Sequence, residues 1–149
     1  MCSPYAIMKP LLALLVPTLV VFALPVPVQA GDAGVERIAV TAIKKALPRQ
    51  TTGWSPTCTI TAVAPELPRT TATSLIRRTR YRLECTLPTT TRPRPNGAAS
   101  CSVEDTITSP APGLITSGKV TYTSKALCTI PLSSGRTLRG IASVTSVAH

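Results

Sequence analysis

The chain has 149 residues, with 16 Lys and Arg against 6 Asp and Glu, one His, five Cys and a formal net charge of +10. That length suffices for one domain once a leader is set aside. The charge points to anionic partners, and an inventory this poor in acids and histidine leaves little for acid–base or metal chemistry.

Residues 1–30 read as a secretory signal. Lys9 supplies a positive charge, Leu11 to Leu24 form an apolar run broken by Pro17 and Thr18, and Val28, Gln29 and Ala30 put small residues at a cleavage site. The run is short for a membrane span of about 20 residues, and Pro25 and Pro27 close it. Cleavage after Ala30 is therefore expected, with no transmembrane anchor left and secretion to the extracellular space. It would remove Cys2 and Lys9 and lower the net charge by one. Residues 31–149 then form a single disulfide-stabilised domain.

The first element is a helix over residues 33–47. Val35, Ile38, Ala39, Ala42, Ile43, Ala46 and Leu47 follow the spacing of one helix face. Asp32 is placed to cap it, Lys44 and Lys45 suit its last turn, and Pro48 ends it. The stripe is narrow and alanine-rich, which predicts packing on a sheet rather than insertion into a membrane.

From Trp54 the period changes to two, and the sheet region is expected to run from 54 to 132. Residues 57–64 place Cys58 and Ile60 on one face. Residues 75–87 put Arg77, Thr79, Tyr81, Leu83, Cys85 and Leu87 on one face and Arg78, Arg80, Arg82 and Glu84 on the other. Residues 100–108 group Cys101, Val103 and Ile107, with Asp105 interrupting. Residues 118–132 group Val120, Tyr122, Ala126, Cys128, Ile130 and Leu132. Pro- and Gly-rich stretches separate the strands, and 133–149 is expected to be a flexible tail. The predicted fold is α+β: an N-terminal amphipathic helix packed on a four-stranded antiparallel meander sheet, with two disulfides.

The four remaining cysteines imply disulfides in a secreted chain. Cys58 to Cys85 and Cys101 to Cys128 both span 27 residues. Pairing Cys58–Cys85 and Cys101–Cys128 needs only adjacent strands in register and is favoured. Pairing Cys85–Cys101 also fits the middle hairpin, and then Cys58 must reach Cys128 across the sheet. With Phe22 in the signal, the aromatics of the domain are Trp54, Tyr81 and Tyr122, so disulfides compensate for a light core.

A helix followed by an antiparallel sheet, with four cysteines paired one–two and three–four, resembles the cystatin-like group, which includes cysteine-protease inhibitors and the cathelin domains of antimicrobial-peptide precursors. The resemblance implies a secreted fold and, for the inhibitors, a wedge of an N-terminal glycine, a Gln-x-Val-x-Gly hairpin and a Pro-Trp hairpin. Gly31 or Gly34 could serve as the first. The other two strings are absent: Gln50 to Gly53 has the wrong spacing, and Trp54 follows Gly53.

Alternation sets Arg78, Arg80 and Arg82 in a solvent-facing row about 6–7 Å apart. Such a row suits arrays of sulfate, phosphate or carboxylate, which guanidinium groups bind bidentately. Arg92 and Arg94 on the next loop could extend it, although that Pro- and Thr-rich loop also reads as an O-glycosylated or flexible tip. A bland alternative is a charged strand that discourages edge pairing. Few aromatics and no recognised module argue against nucleic acid.

Catalysis is not expected. His149 is terminal, Glu104 and Asp105 face opposite sides of a strand, and no Cys-His cluster has zinc spacing. No metal or cofactor is expected either. The sequence reads as a non-enzymatic cationic binding protein, with a role in host defence, engaging an anionic polysaccharide, lipopolysaccharide or acidic protein surface. The alternatives are a protease inhibitor, or an effector or structural protein with a single protein partner.

Overall fold

The computed structural model describes residues 29–113 and 118–148. The expected signal lies almost wholly outside them, as does His149. Residues Gly31–His149 form one compact unit, and no helix among the described residues is long and apolar enough to cross a membrane.

Helix α1 runs Gln29–Ala46. Its apolar stripe (Val35, Ile38, Ala39, Ala42, Ile43) is buried, with Leu47 completing it one residue beyond. Lys44 and Lys45 occupy the last turn and stay exposed. The Leu47 amide still donates to the Ile43 carbonyl at 3.0 Å, after which Pro48 supplies no donor. The helix starts earlier than its apolar spacing suggests. Asp32 therefore lies inside the helix rather than ahead of it.

Six strands follow: β1 Thr57–Pro65, β2 Arg69–Thr70, β3 Ser74–Thr86, β4 Ala99–Pro110, β5 Val120–Pro131 and β6 Thr137–Ala148. They form one antiparallel sheet in the order β1-β3-β4-β5-β6, with β2 also pairing β3. Pro65 and Pro68 explain why that edge breaks in two, since neither can donate to a ladder. Between them the Glu66 amide still reaches the Arg78 carbonyl at 2.9 Å.

The sheet thus has six strands rather than four, and the expected flexible tail is a correction. Residues 137–148 form β6, paired without interruption from Pro131↔Thr137 to Val120↔Ala148. The turn closes through Gly135, whose φ of 90° suits glycine, and the Leu132 amide donates to the Arg136 carbonyl at 2.8 Å. Leu138, Gly140 and Ala142 face the helix while Ile141, Thr145 and Val147 face away. Small residues at Gly140, Ser143 and Ser146 blur that alternation in the sequence.

The helix covers one half of the inner face, where both disulfides sit. Cys58 and Cys85 are direct cross-strand partners bonded to each other, as are Cys101 and Cys128. The two bridges lie side by side, with the Cys85 and Cys101 sulfurs 3.7 Å apart. Helix and sheet meet closely: Cys128 Sγ is 3.5 Å from the Ala39 carbonyl oxygen. A Cβ on Gly140 would come within 2.8 Å of the Ala42 carbonyl carbon and 3.1 Å of Ala46 Cβ. Each bridge contributes roughly 2–4 kcal/mol by restricting the unfolded chain. Beyond the row Tyr81, Val103, Ala126 and Ala142, the inner face carries Arg77, Thr79, Asp105, Ile107, Tyr122 and Val144 around an open hollow of about 430 Å³. There Ser124 Oγ donates to Asp105 Oδ1.

Candidate anion-binding face

The other sheet face carries no helix, and its composition follows from register. Arg82 aligns with Ala62 on β1 and with Ser102, Leu127 and Ile141 on β4, β5 and β6. The next row is Ala64, Arg80, Glu104, Lys125 and Ser143, and the one after contains Arg78, Thr106, Thr123 and Thr145. The first two rows line a shallow cavity of about 700 Å³ that Ala62, Leu127 and Ile141 share with Arg80, Arg82 and Lys125.

Arg78, Arg80 and Arg82 share this face, but they differ in their partners. Arg80 Nε lies 3.1 Å from Glu66 Oε1 and 3.4 Å from Glu104 Oε2. Arg78 approaches the same two carboxylates, at 3.8 Å and 3.4 Å. The Arg78 Nε–H is buried and has no hydrogen-bond partner, so its tie to Glu104 at 3.4 Å is charge attraction alone. Two guanidinium groups and two carboxylates thus form a network of zero formal charge. Each side chain is about a third or more exposed, so the pairs add little stability individually. Their electrostatic effect is larger: they neutralise two members of the row.

Arg82 stands apart. Among the described residues no carboxylate pairs with it, although its backbone carbonyl accepts from Thr61 Oγ1 at 3.3 Å. Lys125 likewise has no ion pair among the described residues and flanks the same cavity. Arg139 lies on the same face one row beyond, opposite Thr129. Among the described residues the cations of this face without an ion pair are therefore Arg82, Lys125 and Arg139 rather than the arginine strand as a whole, with the Glu84 carboxylate in the row of Arg139. Beside it, Leu127 and Ile141 offer apolar surface that is 42% and 66% exposed. The arrangement can bind an anionic group by charge-assisted hydrogen bonds and an adjoining apolar moiety by contact.

Arg92 and Arg94 do not join this face. They follow β3 past Thr86, roughly 27 Å along the strand from Arg78. Arg92 Nη1 donates to the Thr91 carbonyl at 2.9 Å, and its backbone is clamped by Gln50, whose Nε2 donates to the Arg92 carbonyl at 2.5 Å. The Arg94 carbonyl accepts from the Ser133 amide at 2.9 Å. The same contacts overturn the expectation of a flexible tip. Pro95 bridges to Leu132, the Asn96 amide donates to the Pro131 carbonyl, and Thr91 is fully buried, which withdraws its hydroxyl from glycosylation.

Sequence reasoning missed Lys125, Leu127, Ile141 and the two carboxylates. Alternation alone places Glu104 on the arginine face, and the signal was there in the hairpin: Leu83 opposite Cys101 sets Arg80 opposite Glu104. Glu66 carries no such signal because it lies between two prolines. Compared with known proteins, the chain matches no family model, no curated protein and no solved structure.

Proposed function

We propose that this is a secreted, non-enzymatic binding protein whose helix-free sheet face takes an anionic polysaccharide or the acidic headgroup region of a lipopolysaccharide. The observation that carries the reading is the placement of Arg82 and Lys125, neither held by a carboxylate among the described residues, beside the apolar surface of Leu127 and Ile141. Guanidinium and ammonium donors meet phosphate, sulfate or carboxylate, and the apolar surface receives the sugar faces or acyl chains attached to them. The surplus of positive charge draws such ligands in over longer range. A role in host defence follows from that ligand class.

Heparin-column elution tests it, using the protein with both disulfides closed. Arg82→Glu/Lys125→Glu is compared with Lys44→Glu/Lys45→Glu, which makes the same charge change on the exposed helix surface. The first variant is expected to elute at much lower salt than the second. Equal elution of the two would reduce binding to net charge and sink the site.

A further inference from the structure

The two edges of the sheet are built differently. The β1–β2 edge is interrupted by Pro65 and Pro68, has a register shift between Ile60 and Ala62, and ends in a strand of two residues. These are the devices by which proteins stop an edge from pairing with another chain. At the opposite edge, β6 carries none of them. It pairs with β5 over its whole length without a shift, contains no proline, and has Arg139 as its one charged residue. Ile141, Val144 and Val147 are 66%, 58% and 46% exposed along it. Among the described residues no strand pairs with its outer side.

The direction of its free backbone groups follows from the hairpin. The Leu132 amide bonds the Arg136 carbonyl across the turn, so the even-numbered residues of β6 point their N–H and C=O groups at β5. Those of Arg139, Ile141, Ser143, Thr145 and Val147 point outward, as an unsatisfied row. From this we infer that β6 pairs antiparallel with the β6 of a second copy about a two-fold axis at Ser143, joining the two sheets into one.

Register selects a second copy, and the placement of charge along β6 does not oppose it. Pairing about Ser143 sets Ile141 opposite the other copy's Thr145, Ala142 opposite its Val144 and Arg139 opposite its Val147. The exposed β-branched residues then gain cross-strand neighbours, and about ten backbone hydrogen bonds form. A strongly cationic chain ordinarily repels its own copies. Here the two Arg139 side chains end roughly 27 Å apart, beyond the screening length of about 8 Å at physiological salt. The interface is isologous and closes at two, because each copy has one unblocked edge.

Analytical ultracentrifugation of the protein expressed from the full 149-residue chain, with both disulfides closed, tests this. The parent is expected to sediment as a dimer over a concentration series. Ile141→Lys/Thr145→Lys and Ile141→Glu/Thr145→Glu each place like charges directly across the axis, and each should weaken self-association about tenfold or more. Mixing the two variants should restore a dimer of one copy of each, which a loss of folding could not produce. A parent that stays monomeric throughout, or charge variants that each dimerise like the parent, would overturn the inference.

Discussion

The Trp54 indole N–H donates to Thr91 Oγ1 at 2.7 Å, and the two residues lie far apart in sequence on segments that close the same end of the sheet. Thr91 is the one buried polar side chain among the described residues, and its hydroxyl is used twice, since it also donates to the Pro88 carbonyl. This pair anchors the 88–97 loop over the core and converts a proline- and threonine-rich stretch into ordered structure.

Thr91→Val keeps the shape of the side chain and leaves the indole N–H without its partner, while the Pro88 carbonyl keeps the Thr91 amide. A buried donor stranded in this way costs about 1–3 kcal/mol. Denaturant unfolding, followed by the fluorescence of Trp54, should show that loss. Thr90→Val, at an exposed neighbour, should leave the midpoint nearly unchanged.

Glycines at two positions should respond in opposite directions to alanine. At Gly140 an added methyl meets the Ala42 carbonyl carbon and Ala46 Cβ, so Gly140→Ala must push helix and sheet apart, at a cost of about 1–3 kcal/mol. At Gly34, in the exposed part of α1, nothing lies within 4 Å. There Gly34→Ala should stabilise by roughly 0.5–1 kcal/mol through helix propensity. Thermal melts of the two variants beside the parent measure the contrast.

Glu66 and Glu104 act as restraints on the arginine row. Replacing both with Gln removes the partners of Arg78 and Arg80 and releases two guanidinium groups beside Arg82. The salt needed to elute the protein from heparin should rise. A comparison with Glu36→Lys, which makes the same change in net charge on the helix, separates the local effect from the global one. Identical elution would show that ligands do not sense the network.

Both disulfides join in-register neighbours and enclose loops of equal span. Chain entropy alone therefore predicts similar penalties of roughly 2–4 kcal/mol for Cys58→Ala/Cys85→Ala and Cys101→Ala/Cys128→Ala. Packing separates them, because the first bridge ties an edge strand and the second lies beneath Ala39. The second double variant should be the less stable in urea titrations.

Much of the architecture was legible because its signals are local. The helix face from Val35 to Leu47 follows from spacing, and Cys85, Cys101 and Cys128 lie on alternations whose apolar side is the buried one. What escaped depends on neighbours. The segment 137–148 alternates only weakly, since Gly140 and Ala142 are small for the sake of helix contact, and its order comes from pairing with β5. That Arg78, Arg80 and Arg82 share one face was legible from alternation. The neutralisation of two of them was not, because Glu66 and Glu104 reach Arg78 and Arg80 across strand boundaries. Arg92 and Arg94 seemed close along the chain, yet β3 carries them to the far end of the sheet.

The contact between Ala42 and Gly140 also has a kinetic side. One residue belongs to the first element of the domain and the other to its last strand, so the helix cannot take its final seat until β6 is in place. Closure of the core therefore waits for the most distant pairing in the chain, a topology that raises contact order and slows folding. During synthesis α1 emerges first, and the part of its apolar stripe at Ala42 stays uncovered until β6 follows. A chain truncated before β6 would lack a cover for Ala42, and the domain would fold as a whole or not at all.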